Sequence, residues 1–274
     1  MNTLVIFGNC QAEAIASAIQ HYPGISGECE VILASSFGIS PEREAEILSD
    51  DVRNRCVRLF EQVTPLVRVS TRYAFPNAQI TTFPSLDFNL MWPLRADEPR
   101  MTPEPPEFPY GRFTYGDRII NQIVAEGLEG DAAWEAFQRR SDAAMPNLVR
   151  LANVEQRRWS FAERDLDVAM SDVIFNAFKT ERLFWTYNHP NRRVLCRLAA
   201  RILAAAGIAT SEEEALATME GILTWEFGAD YQAPIHPKVI SELPLEWASE
   251  DPIYRRYKDE FSYEQFIRAQ IAWQ

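Results

Sequence analysis

Histidine is scarce: His21, His189 and His236 are the whole supply in 274 residues. The search for a catalytic base is short, and no H-E-x-x-H spacing occurs, so no metal is expected. Cysteine is nearly as rare. Cys10, Cys29, Cys56 and Cys196 are scattered without a C-x-x-C pair. That argues against a zinc knuckle and against a disulfide framework, and suits a cytoplasmic protein with reduced thiols. Positive charge is in deficit, with 27 Lys and Arg against 39 Asp and Glu, a net charge of −12 and a pI near 4.9. A bulk attraction to nucleic acid or to an anionic membrane is not expected. No run approaches the roughly eighteen apolar residues of a membrane span. Thr3–Phe7 is too short for the apolar region of a signal peptide, and Cys10, Glu13 and His21 follow where a cleavage region belongs. No internal repeat is visible.

What is present begins at the N-terminus. Thr3–Phe7 is a short apolar run of strand formers, and Gly8-Asn9-Cys10-Gln11 follows at once. Ala12–Tyr22 then reads as a helix, with Ile15, Ile19 and Tyr22 on one face. Strand, tight turn and helix place Cys10 at a helix start beyond the carboxyl end of the first strand, where open α/β sheets keep their ligand sites. Free backbone N–H groups and the helix dipole favour a thiolate there. The alternative is a small buried thiol that only packs. No second or third glycine follows, so the turn is neither a dinucleotide fingerprint nor a P-loop. It looks like the nucleophile turn of a hydrolase or acyltransferase, with sulfur replacing the serine oxygen.

The rhythm continues. Strands are expected at Glu30–Ser35, Cys56–Glu61 and Gln79–Phe83, with helices at Pro41–Asp50 and Thr64–Tyr73 between them. That is the pattern of a small parallel, Rossmann-like or SGNH-like sheet with crossover helices. Seven prolines then fall between Pro84 and Pro109, and Arg95–Pro109 is expected to lack regular structure. Such a loop is a lid, a binding loop, a boundary or a surface linker. Beyond it the chain reads as mostly helical: Arg118–Glu126 behind an Asp117 cap, Asp131–Arg140, Met145–Glu163, Asp165–Phe178, Arg193–Ala206 ended by Gly207, Ser211–Leu223, and a last helix opened by the capping box Ser262-x-x-Gln265. Leu183–Tyr187 is a fifth strand or a buried loop. The organisation expected is an α/β core over 1–95, a Pro-rich loop over 96–117 and a predominantly α-helical half over 118–274 packed on the core.

His189, in Tyr187-Asn188-His189-Pro190, could deprotonate the Cys10 thiol or a substrate hydroxyl if the fold brings them together. The plainer reading makes Asn188 or Asn191 a helix cap and His189 a turn residue. His236, between two prolines, is a second candidate base or substrate contact; His21 reads as surface. Arg192 and Arg193 stand in the first turn of their helix, against the dipole, which is what a phosphate would want. Lys179 and Arg182 could join them, or all four could pair with acidic side chains. Asp165 and Asp172 share a helical face if the helix starts at Asp165, and with Asp167 they could orient a histidine or form a solvated face.

Gly8-Asn9-Cys10-Gln11, Tyr115-Gly116-Asp117-Arg118, Leu183-Phe184 leading to Tyr187-Asn188-His189-Pro190, and Ile235-His236-Pro237 before a Tyr-rich tail together resemble the WcbI family of capsular-polysaccharide biosynthesis proteins. The resemblance covers nearly the full length and is most specific in Gly-Asn-Cys-Gln. It implies a coenzyme A-binding acetyltransferase acting on a polysaccharide or sugar precursor, with the family's cysteine at Cys10 and its histidine at His189. On that basis coenzyme A or acetyl-coenzyme A is the donor and a carbohydrate the acceptor. Gly8, Lys179, Arg182, Arg192, Arg193 and His236 would hold the donor. N–H groups at Asn9–Gln11, with the Gln11 or Gln62 side chain, would stabilise the oxyanion. Two rivals stand: a thiol esterase that resembles SGNH hydrolases, weakened by the lack of an Asp-x-x-His near the C-terminus, and a non-catalytic glycan-binding protein using Trp92, Trp159 and Trp185 as platforms.

Overall fold

The structure, a computed structural model, describes residues 1–36, 40–64, 74–249 and 251–273. The elements are β1 (Asn2–Gly8), α1 (Cys10–Ile19), β2 (Cys29–Ser35), α2 (Pro41–Ile47), α3 (Asp50–Arg55), β3 (Cys56–Val63) and β4 (Gln79–Pro84). Then come β5 (Arg95–Asp97), β6 (Tyr115–Asp117), α4 (Arg118–Ala125), α5 (Gly130–Ala144), α6 (Leu148–Ala162) and α7 (Ser171–Ala177). The chain ends through β7 (Phe184–Thr186), β8 (His189–Pro190), α8 (Arg192–Ala205), α9 (Glu212–Ile222), α10 (Pro237–Glu242), β9 (Tyr254–Arg256), β10 (Asp259–Phe261) and α11 (Tyr263–Ala272). The helix expected over Thr64–Tyr73 falls on 65–73, outside the described residues.

These elements form two compact units, each assembled from three separate pieces of chain. The first holds Met1–Leu86, Arg158–Asn176 and His189–Phe227; the second holds Asp87–Arg157, Ala177–Asn188 and Gly228–Gln274.

The first unit is built on a parallel sheet of order β2-β1-β3-β4. Leu4, Val5 and Ile6 of β1 are all fully buried, so both faces of the central strand are covered, as a parallel sheet requires. Val5 and Leu59 pack with Ile47 of α2 and Val52 of α3, while α1 packs on β1, β2 and α8. The connection from β1 runs to one neighbour, β2, and the chain then crosses to β3 and β4 on the other side. The switch point therefore lies between the carboxyl ends of β1 and β3, where open α/β sheets place their sites.

In the second unit, α4, α5 and α11 pack around Ile120, Ile123, Phe137 and Ile267. A second cluster joins Phe113, Tyr231, Tyr254 and Phe266. Arg95–Asp97, expected to be irregular, is a strand: β5 pairs antiparallel with β6. Gly116 makes that pairing close, since a Cβ there would lie 2.5 Å from the Asp97 carbonyl oxygen. The helix expected over Asp165–Phe178 starts only at Ser171, because the Glu163 carboxylate accepts the Met170 and Ser171 N–H groups and holds the preceding chain out of the helix. Asp165 and Asp172 consequently do not share a face: Asp165 pairs with Arg164 and Asp172 with Arg201, while Asp167 accepts from Thr82.

Candidate functional site

The turn after β1 is held by a set of side-chain bonds reaching across the end of the sheet. Asn9 caps α1, its Oδ1 accepting from the Gln11 N–H at 2.9 Å, and its Nδ2 donates to Ser85 Oγ at 3.1 Å. The Asn9 N–H donates to Gln62 Oε1 at 2.8 Å. Gln62 Nε2 in turn donates to Gln11 Oε1, which also accepts the Leu86 N–H, while Gln11 Nε2 donates to the Leu86 carbonyl at 2.7 Å. Gln11 and Gln62 are fully buried. Their amides are spent on fixing the turn, so neither side chain is presented as an oxyanion donor. Gly8 acts by its lack of a side chain: a Cβ would sit 2.5 Å from Gln62 Oε1 and 2.7 Å from Ala12 Cβ.

This scaffold presents Cys10 as the first residue of α1. Its Sγ lies 3.9 Å from His189 Nε2, a contact between residues 179 positions apart. The His189 ring packs edge-on against Phe227, with centroids 4.9 Å apart. The expected thiolate is not favoured. Burial pushes the Cys10 thiol up to about 11, outweighing the backbone N–H groups of Cys10 and Gln11 that pull it down. Burial also pulls the His189 imidazole down to about 4. The resting pair is a neutral thiol beside a neutral imidazole, one able to give a proton and the other to take it.

The other residues expected at the site have defined places. Asn191, not Asn188, caps α8, accepting from Val194 N–H. The Arg192 N–H donates to the Glu226 carboxylate, so an internal carboxylate sits where a phosphate was expected. The Arg192 guanidinium reaches the Leu223 and Glu220 carbonyls at the end of α9. A cation in the first turn of α8 thus serves the negative end of α9. Arg193 is exposed in that turn.

Lys179, Arg182 and His236 belong to the second unit. Lys179 is exposed, and its carbonyl accepts from Glu246 N–H. Arg182 lies over the Trp185 ring at 4.6 Å, bonds Gln232, and is pulled down to about 10 by burial. His236 caps α10: its Nδ1 accepts the Lys238 N–H at 3.2 Å, and its Nε2 is 3.0 Å from Ser141 Oγ. Because Nδ1 is an acceptor, the neutral ring carries its proton on Nε2 and cannot take one from Ser141. Asp142 nearby, 3.8 Å from Nε2, does not change this. Trp159 is a core residue, 3% exposed and set against Phe175, not a platform. Among the described residues no group of His, Cys, Asp and Glu could hold a metal ion, and no helix is long and apolar enough to cross a membrane.

Of the residues singled out in the sequence, Gly8, Asn9, Cys10, Gln11 and His189 lie together here, while Ser85, Leu86 and Phe227, which also touch this turn or its histidine, were not singled out. Ser85 and Leu86 directly follow β4, and position just past a strand end was the available signal.

Comparison with known proteins follows the same lines. No curated protein matches the chain. A solved structure, presented as structural insights into WcbI, a novel polysaccharide biosynthesis enzyme, superposes with a TM-score of 0.75 at 18% identity, covering 99% of this chain and 89% of that one. It is the native form of that protein, without a disulfide bond between coenzyme A and one of its cysteines. The fold is thus shared. The sequence profile of the family described as polysaccharide biosynthesis enzyme WcbI matches residues 3–211. The chain belongs to the WcbI family of polysaccharide biosynthesis enzymes.

Proposed function

We propose that this protein transfers an acyl group from coenzyme A to a hydroxyl of a polysaccharide or sugar precursor, with Cys10 as nucleophile and His189 as base. The observation that carries this is the Cys10–His189 contact, made at the switch point of the sheet and at a helix start. The relative's coenzyme A and cysteine support the donor.

His189 Nε2 takes the thiol proton as Cys10 Sγ attacks the thioester carbonyl. The tetrahedral oxyanion forms against the Cys10 N–H and the second N–H of Asn9 Nδ2, whose orientation Ser85 and Gln11 fix. The carbonyl re-forms as the coenzyme A thiolate leaves, and His189 returns the proton to it. An acceptor hydroxyl then loses its proton to His189, attacks the acyl-Cys10 thioester and releases the Cys10 thiolate, which the imidazolium reprotonates. Gln11, Gln62 and Gly8 position the turn. For the donor's phosphates we assign Arg193, on the unit that carries Cys10.

The test is intact-mass analysis after mixing with acetyl-coenzyme A and no acceptor. The expected result is one acetyl group on the Cys10 peptide, absent in Cys10→Ala; transfer without such an adduct in single turnover would mean that the hydroxyl attacks the donor directly. Turnover in His189→Gln is expected to fall roughly 100- to 10,000-fold, with thermal stabilisation by coenzyme A retained. Ester hydrolysis independent of coenzyme A would identify a thiol esterase instead.

A further inference from the structure

Helices α8 and α9 form an antiparallel hairpin in the first unit. Toward its closed end, Glu212 at the start of α9 pairs with Arg197 and Arg201 of α8. Further along, the Cys196 thiol meets the Met219 carbonyl. At the open end, the Arg192 guanidinium holds the Leu223 and Glu220 carbonyls, which α9 itself leaves without N–H partners. An antiparallel partner returns the chain to the level at which α8 began, and α8 begins just after His189. The segment that leaves α9 therefore arrives beside the imidazole.

That segment is tied down before it reaches the ring. The Arg192 N–H donates to the Glu226 carboxylate at 3.0 Å, so one residue holds both the end of α9 and the neighbour of Phe227. Phe227 then stands edge-on to His189, with centroids 4.9 Å apart and planes at 64°. Trp225, itself exposed, meets Phe227 at 6.2 Å and 67°. Cys10, Phe227 and Trp225 thus form a row with His189 in it, all within the first unit. The titratable or charged groups on the elements around the ring are Cys10 of α1, Arg192 and Arg193 in the first turn of α8, and Glu226 beside Phe227. Burial is what lowers the imidazole to about 4.

We infer that Phe227 is a positioning residue for His189, holding the imidazole dry and turned toward Cys10, and that Arg192 is the clasp that keeps Phe227 there; the bearing of this on turnover rests on the acyl-transfer reading above. An imidazole has two rotatable bonds, and a ring packed against it removes rotations that would carry Nε2 away from the sulfur. The same ring excludes water that would compete for Nε2 and would hydrate the imidazolium. Phe227 touches neither sulfur nor proton in this account; it acts through the histidine. A phenylalanine that only filled space would set stability and leave the titration of His189 alone. An Arg192 that only held the donor's phosphates would set KM and leave the resting histidine alone.

The experiment is a pH titration of the imidazole resonances by proton–nitrogen NMR on the full chain without donor, with only three histidines to assign. Steady-state kinetics with acetyl-coenzyme A accompany it. In Phe227→Ala the His189 midpoint should rise by at least about one pH unit toward its ordinary value. In the same variant kcat should fall about tenfold or more, with KM for the donor within about twofold of the parent. Phe227→Tyr keeps the ring edge and should restore both. Arg192→Lys keeps the charge but cannot fork to two carbonyls, and should move the midpoint in the same direction. Cooperative thermal unfolding above the NMR temperature shows that each variant is folded; should Phe227→Ala fail that check, Arg192→Lys decides alone. A midpoint unmoved in the folded variants would overturn the proposal, as would a loss in Arg192→Lys carried by KM alone. If the midpoint moves but no acetyl-Cys10 forms in the parent, the positioning of His189 stands and the acyl-transfer reading falls. If acetyl-Cys10 forms and the midpoint stays, the reverse holds.

Discussion

Two influences meet at Cys10 and oppose each other. The start of α1 favours a thiolate through its backbone N–H groups, and burial disfavours any charge. Burial prevails, leaving the thiol near 11. At pH 7 only about one molecule in ten thousand would carry a thiolate. Alkylation of the Cys10 peptide by iodoacetamide, followed by mass spectrometry, should therefore be slow at pH 7 and rise about tenfold per pH unit toward 11. A rate that levels off near pH 7 would mean a preformed ion pair with His189. The design that follows is a site in which charge is created only when substrate supplies a carbonyl to receive the sulfur's electrons. Sequence made half of this legible. The motif shows the cysteine, the turn and the cap, because those are local. It does not show that the thiol is starved of water or that Gln62, Ser85 and Leu86 bind the turn, because those contacts span 51 to 76 residues.

At the level of elements the same division appears. The β1–β4 strands, α8 before Gly207 and the Ser262–Gln265 capping box are written in periodicity and end signals, and all are found. Of the three-residue strands, β5, β6, β9 and β10 are too short for a period of two to register, and β7 shows only as an aromatic run that could equally be a buried loop. The Arg192 reading erred for a related reason: a cation against the dipole of its own helix makes sense only once α9 is seen to end beside it. Gly8 is the element-scale constraint with the sharpest consequence. Gly8→Ala places a methyl carbon inside the contact radius of Gln62 on β3 and Ala12 in the first turn of α1. Overpacking of this kind costs about 1–3 kcal/mol. Urea unfolding should show that loss. Turnover should fall as well, since the displaced Gln62 Oε1 also accepts the Asn9 N–H beside Cys10. Wild-type stability in Gly8→Ala would mean that the turn yields more easily than its hydrogen bonds imply.

For the molecule as a whole, an acidic chain of net charge −12 carries two buried titratable groups whose proton balances oppose each other. His189, ordinarily near 6.5, is held at about 4 in the folded first unit. Between those values the unfolded chain binds the proton and the folded one does not, so acidification through this window removes stability. Asp117, ordinarily near 3.8, is lifted to about 6 in the second unit. Between those values the folded form binds the proton, so acidification through that window adds stability. Each slope approaches about 1.4 kcal/mol per pH unit, and between pH 4 and 6 the two nearly cancel. Urea unfolding from pH 7 to pH 4 separates them when each variant is referred to the parent. His189→Gln should gain stability relative to the parent as pH falls from 6.5. Asp117→Asn should lose it as pH falls from 6, and the double variant should track the parent with a constant offset between pH 4 and 6. A pH-independent difference for either single variant would show that its group titrates alike in the folded and unfolded chain, and would remove the burial on which the neutral Cys10–His189 pair or the raised Asp117 carboxyl depends.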